Sequence, residues 1–110
     1  MTEKERKFLS DITNSIELIE NFTSGIKSFG EYSKDLKTKG AVKRHLGIIG
    51  EAVNKFLKES DTNDLKNAFQ IISLRNRLIH SYDNVDDSII WSIVTRHLKP
   101  LKEEILKKIE

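Results

Sequence analysis

Arg75-Asn76-Arg77-Leu78-Ile79-His80-Ser81-Tyr82 gathers two arginines, a histidine and a tyrosine into eight residues. Arginine carries a permanent planar cation that matches phosphate, and histidine trades protons near neutrality. Tyrosine adds a hydroxyl that can be hydrogen-bonded or modified. A phosphate clamp beside a proton shuttle is the minimum equipment for cleaving a phosphodiester. The same residues could equally close the end of a helix, so their spacing decides what they can reach.

Residues on an α-helix step round the axis by about 100°. Arg75 and Tyr82, seven apart, then point roughly the same way, and Asn76 and His80, four apart, share another side. Arg75 and His80 fall about 140° apart on the same geometry. They cannot both aim at one atom from a regular helix. Either the helix ends or loosens near His80, or a second chain completes the site.

The elements that must carry this stretch are helical. Phe8, Ile12, Ile16 and Ile19 recur at three- and four-residue steps and predict a first helix over residues 4–22. Gly25 and Gly30 bracket a short turn or single helical turn at 26–29. From about Lys34, Val42, Leu46, Ile49, Val53 and Phe56 restore the helical period. Gly47 and Gly50 lie inside this second helix, each at a cost of about 1 kcal/mol relative to alanine. Their presence predicts a tight helix crossing. Glu51 beside them reads either as a surface carboxylate pairing with Lys55, or as an acceptor that holds an arginine or histidine of the motif.

Ser60 to Asp64 is a polar break, and a third helix is expected from about Asn63 through Leu65, Ala68, Phe69 and Ile72 to Asn76 and beyond. Asp83-Asn84 is turn chemistry, and Asp86 is a natural N-cap for the last helix. Ile90, Val94, Leu98, Leu101 and Ile105 carry that helix onward, with a kink or break near Pro100. No stretch shows sustained strand alternation. The fold class is all-α, an up-and-down bundle of four main helices.

Its 110 residues make a single domain, 1–110, able to bury about 65% of the surface its unfolded chain exposes. There is no cysteine, hence no disulfide or thiolate metal site. No apolar run is long enough to span a bilayer, and the charged stretch from Met1 to Lys7 is unlike a signal peptide, so a cytoplasmic protein is expected. The 19 basic and 17 acidic residues nearly balance, which excludes nucleic-acid binding by bulk charge. Local clusters are the alternative: Arg75 with Arg77, and Lys34, Lys37, Lys39, Lys43 and Arg44, which also read as a solvated helix face. His45 and His97 have no partners at metal-ligand spacing, and Trp91 reads as a packing anchor. No metal or organic cofactor is implied.

The motif stretch reads R-x4-H-x-Y with a polar Asn76 after the arginine, and it resembles the motif of HepT-like toxins in the HEPN superfamily. Ile48-Ile49-Gly50-Glu51-Ala52 resembles the I-I-G-E-A segment of their earlier helix. Val85-Asp86-Asp87-Ser88-Ile89-Ile90-Trp91 resembles the V-D-x-x-x-x-W stretch that follows their tyrosine. One departure stands out: many relatives place a Pro-Trp pair ahead of the arginine, where this chain has Leu65-Lys66-Asn67-Ala68-Phe69.

The resemblance implies a HEPN-like bundle and a metal-independent endoribonuclease acting as the toxin of a toxin–antitoxin pair. Arg75 and His80 would be catalytic, with Asn76 and Glu51 supporting them, and from the local basic clusters Arg77, Lys43 and Arg44 are the expected RNA-binding residues. Tyr82 matches the tyrosine to which an antitoxin, an MNT-type nucleotidyltransferase, adds AMP. A homodimer is expected from the angular mismatch. The other reading open to these residues is a non-catalytic module that binds a nucleotide or a nucleotidyltransferase.

Overall fold

A computed structural model describes residues 1–59, 64–80 and 85–109. Its helices are α1 (Glu3–Thr23), α2 (Phe29–Lys34), α3 (Leu36–Glu59), α4 (Phe69–His80), α5 (Asp87–Arg96) and α6 (Leu98–Ile109), and no strand occurs among the described residues. Thr2 starts α1 with a capping box: its hydroxyl accepts from the Glu5 amide at 3.1 Å, and the Glu5 carboxylate accepts from the Thr2 amide at 3.3 Å. Ser28 caps α2 by accepting from the Glu31 amide, so Gly30 lies within this short helix and does not bound it. Asp86 caps α5, accepting from the Ser88 amide at 2.8 Å.

α1 and α3 run antiparallel and form the spine. Lys4 meets Glu59 at one end, and the Ser15 hydroxyl meets His45 Nδ1 at 3.2 Å further along. Leu9, Ile12, Ile16 and Ile19 of α1 and Val42, Leu46, Ile49, Val53 and Phe56 of α3 are buried in the common core. Burying each of these side chains is worth about 1.5–3 kcal/mol before conformational entropy is set against it. α6 closes over α1, where Lys102 reaches Glu20 at 2.9 Å. Trp91 of α5 stacks on Tyr32 of α2 with ring centroids 5.1 Å apart, a packing role as expected. Burial, then the nearby Asp87 charge, pushes the Tyr32 hydroxyl well above its ordinary pKa.

One boundary differs from the sequence expectation, and the break expected near Pro100 is present. The helix carrying the motif begins at Phe69, not near residue 63. Ahead of it, the Lys66 and Asn67 amides donate to the Glu104 carboxylate at 2.8 and 3.0 Å, and the Ala68 amide donates to the Leu65 carbonyl. Those donors are committed to a turn and to α6, so the helix cannot extend backwards through them. Desolvation pushes Glu104 up, but the bonds from Lys66 and Asn67, with Lys108 nearby, outweigh it and hold the carboxyl below its ordinary value. At the other end, the final helical stretch breaks at His97, and Pro100 sits in the first turn of α6. Proline there removes an amide that would have continued the helix from α5, so the chain restarts instead of bending.

Candidate active site

Arg75 emerges halfway along α4 where that helix crosses α3. Gly50 makes the crossing possible: a Cβ there would lie 2.7 Å from Arg75 Cγ and closer still to Arg75 Cβ. Gly47 has no such neighbour, so of the two glycines only Gly50 serves the tight crossing. Direct backbone approach sets the arginine beside Glu51, the next residue on α3.

The guanidinium is held on three sides. Its Nε donates to Glu51 Oε1 at 2.9 Å, Nη2 pairs with the same oxygen, and Nη1 donates to Asn76 Oδ1 at 3.2 Å. Three of its five N–H groups are thus engaged, and two are left to meet a ligand. Glu51 therefore acts as the acceptor for the motif arginine, not as a partner of Lys55. Asn76 turns to Arg75 and not to His80.

Arg75 opens onto a groove of about 720 Å³ between α1, α3 and α4. Among the described residues, Lys7, Lys43, Arg44 and Lys55 line it with Arg75, against Asp11 and Glu51, so this lining carries a net positive charge. Asp11 is paired with Lys7 at 3.1 Å. Phe8, Ile48, Leu78 and Ile79 supply its apolar surface, with Ile79 56% exposed. Lys7 and Lys55 belong to no motif; only the antiparallel register of α1 and α3 brings them here.

The other site residues separate. His80 is the last residue of α4 and is exposed, and the helix stays regular up to it, so the angular offset from Arg75 persists. Arg77 lies in a second groove of about 380 Å³ between α4 and α5. Within the 34–44 cluster, Lys43 and Arg44 face the Arg75 groove, while Lys39 is drawn off by Asp87 at 2.6 Å. Tyr82 lies outside the described residues. His45 packs on Phe22 with ring centroids 5.6 Å apart, and burial, then the Arg44 charge, lowers its pKa. Its contacts are those of a half-buried packing histidine. Among the described residues no cluster of three or more His, Cys, Asp or Glu is placed to hold a metal ion.

A half-buried arginine fixed by a carboxylate and an amide, on a helix ending in an exposed histidine and beside a basic groove, makes a helical domain whose chemistry suits a phosphate ligand. The chain belongs to the ribonuclease HepT-like family, whose profile matches residues 12–108. It is 35% identical to a Thermococcus cleftensis protein named a probable ribonuclease HepT, over 97% of both chains. It is 41% identical to a Methanocaldococcus jannaschii protein named as a candidate RNase, over 96% of this chain and 89% of that one. A similarly named Caldanaerobacter subterraneus protein is 33% identical over 91% of this chain and 89% of its own. No solved structure matches the chain.

Proposed function

We propose that this protein is a metal-independent endoribonuclease, the toxin of a toxin–antitoxin pair silenced by AMP transfer to Tyr82. The observation that carries the catalytic part is Arg75, pre-set by Glu51 and Asn76 with two N–H groups left for a phosphate. The ribose 2′-hydroxyl attacks the adjacent phosphorus as His80 of one copy removes its proton. The P–O5′ bond breaks, the 5′-oxygen takes up a proton from a second acid, and a 2′,3′-cyclic phosphate remains. Arg75 stabilises the charge that builds on the non-bridging oxygens. The nucleophile belongs to the substrate, so no metal-bound water is required. Purified protein with single-stranded RNA and a chelator is expected to yield cyclic-phosphate and 5′-hydroxyl ends. RNA bound but left intact would assign a binding module instead.

The site is completed by a second copy. Arg75 and His80 lie on different flanks of one regular helix, and a two-fold pair lets the arginine of one chain serve the histidine of the other. Exposed Ile48 and Ile79 beside the groove supply apolar surface for that contact. Sedimentation at micromolar concentration is expected to give a dimer; an active monomer would refute this arrangement.

Control acts through Tyr82, seven residues from Arg75. An AMP group on the hydroxyl adds a negatively charged phosphodiester close to the motif, where it competes for Arg75 and repels RNA. The antitoxin is an MNT-type nucleotidyltransferase, and the pair works in the cytoplasm; no helix of the described residues is long and apolar enough to cross a membrane. Tyr82→Phe is expected to keep its RNase activity yet escape silencing by the nucleotidyltransferase and ATP. AMP transfer that proceeds equally on Tyr82→Phe would move the acceptor elsewhere.

A further inference from the structure

The groove between α4 and α5 is chemically unlike the one that holds Arg75. Phe69 stands at its mouth, 74% exposed at the start of α4. Behind it come Gln70, Ser73 and Arg77 from α4, facing Ser92 and His97 at the α5 side. Among the described residues no acidic side chain lines it, and the Arg77 side chain has no ion pair or hydrogen bond. A single exposed phenylalanine is ordinary surface. One placed beside an uncompensated arginine, in a groove floored by buried Leu74 and Ile93 and edged by hydroxyls and an amide, offers partners to the three parts of a nucleotide: base, phosphate and sugar.

We infer that this groove is a nucleotide subsite for single-stranded RNA, next to the scissile phosphate on the His80 side. Phe69 stacks on an unpaired base, Arg77 holds a phosphate, and Ser73 with Ser92 offers hydroxyls to the ribose. The position follows from helix geometry. His80 is about 60° round the axis from Arg77 and about 20° from Ser73, one and two turns further along the same flank. Arg75 looks the other way, into the basic groove. A strand held by Arg75 of one copy and met by His80 of the other therefore continues into the Phe69–Arg77 groove of the copy that supplies the histidine. Stacking on Phe69 requires a base free of its partner, because an A-form duplex hides base faces. The substrate class is thus a loop or single strand with at least one nucleotide beyond the cut on this side.

The inference rests on the ribonuclease reading, and its test is made independent of cleavage. Fluorescein-labelled single-stranded RNA of ten nucleotides is titrated with full-length His80→Ala protein and followed by anisotropy. Adding Phe69→Ala is expected to weaken binding by about 5- to 150-fold, the range seen when one stacking aromatic is removed. Phe69→Trp restores it, and Arg77→Gln weakens binding with a shallower salt dependence. A fully paired duplex of the same sequence shows no Phe69 dependence. Unchanged single-strand affinity in both Phe69→Ala and Arg77→Gln overturns the subsite even if the unmodified protein cleaves RNA. So does dissociation of a dimer by Phe69→Ala, which would assign the groove to a second copy of this chain. Failure of the unmodified protein to cleave RNA sinks the ribonuclease reading, while the binding comparison still decides the subsite.

Discussion

Arg75→Ala is expected to lower RNA cleavage by about 10²–10³-fold, the usual effect of removing one preorganised group that meets developing charge. His80→Ala should cost about 10²–10⁴-fold, as loss of a general acid or base does. The double variant should fall little below the worse single one, because groups acting in one step are not additive. Arg75→Lys is the informative companion. Lysine keeps the charge, but it has no fork to bind Glu51 through Nε and Nη2 while offering further N–H groups to substrate. It should therefore stay nearer to alanine than to arginine in rate. Single-turnover cleavage of a labelled RNA in chelator, with circular dichroism to check the fold, decides the matter. His80 is exposed at a helix end, so its removal should leave the melting temperature almost unchanged. Full activity of both alanine variants would place the chemistry elsewhere.

The neutral Arg75–Glu51 pair sets two effects against each other. Glu51 offsets the charge that Arg75 would present to a phosphate, and it also fixes the guanidinium in one orientation. Its side chain is 46% exposed, so solvent screens the charge term, and an exposed ion pair is worth about 0–1 kcal/mol. Orientation is the larger effect. Misplacing a catalytic group by about 1 Å can cost 100-fold. On these magnitudes Glu51 helps more by aiming the arginine than it harms by sharing its charge.

Local patterns exposed most of this arrangement, and tertiary contacts hid the rest. The steps of Ile12, Ile16 and Ile19, and of Val42, Leu46 and Ile49, mark α1 and α3 because burial on one face imposes a helical period on the sequence. The start of α4 is different. It depends on Glu104, 38 residues beyond Lys66, and no local signal announces a carboxylate arriving from α6 to take two amides. The basic groove is similar, since Lys7 and Lys55 meet there only once α1 and α3 have packed. Arg75 and Arg77 look like one cluster in the sequence, but two residues turn a helix by about 200° and put them in separate grooves. Gly47 and Gly50 are the same residue type three positions apart, and only the crossing distinguishes them.

Gly50→Ala and Gly47→Ala are therefore expected to move stability in opposite directions. At either position alanine gains about 1 kcal/mol of helix propensity over glycine. At Gly47 nothing lies within 4 Å of the added methyl, so the gain should survive and raise the melting temperature by about 4–8 °C. At Gly50 the methyl would overlap the Cβ and Cγ of Arg75. Neither partner can swing aside, because both β-carbons are fixed by their backbones. The helices must separate, and overpacking of this kind costs about 1–3 kcal/mol. The loss exceeds the propensity gain, and Gly50→Ala should melt lower than the unmodified protein. Its activity should fall further than its stability. Pushing α4 off α3 carries Arg75 away from Glu51 and out of register with the groove, and a shift near 1 Å costs about 100-fold in rate. Thermal melts of both variants, with cleavage assayed well below either transition, test the claim. A Gly50→Ala protein that is more stable and still cleaves RNA normally would mean that α3 and α4 do not cross this closely.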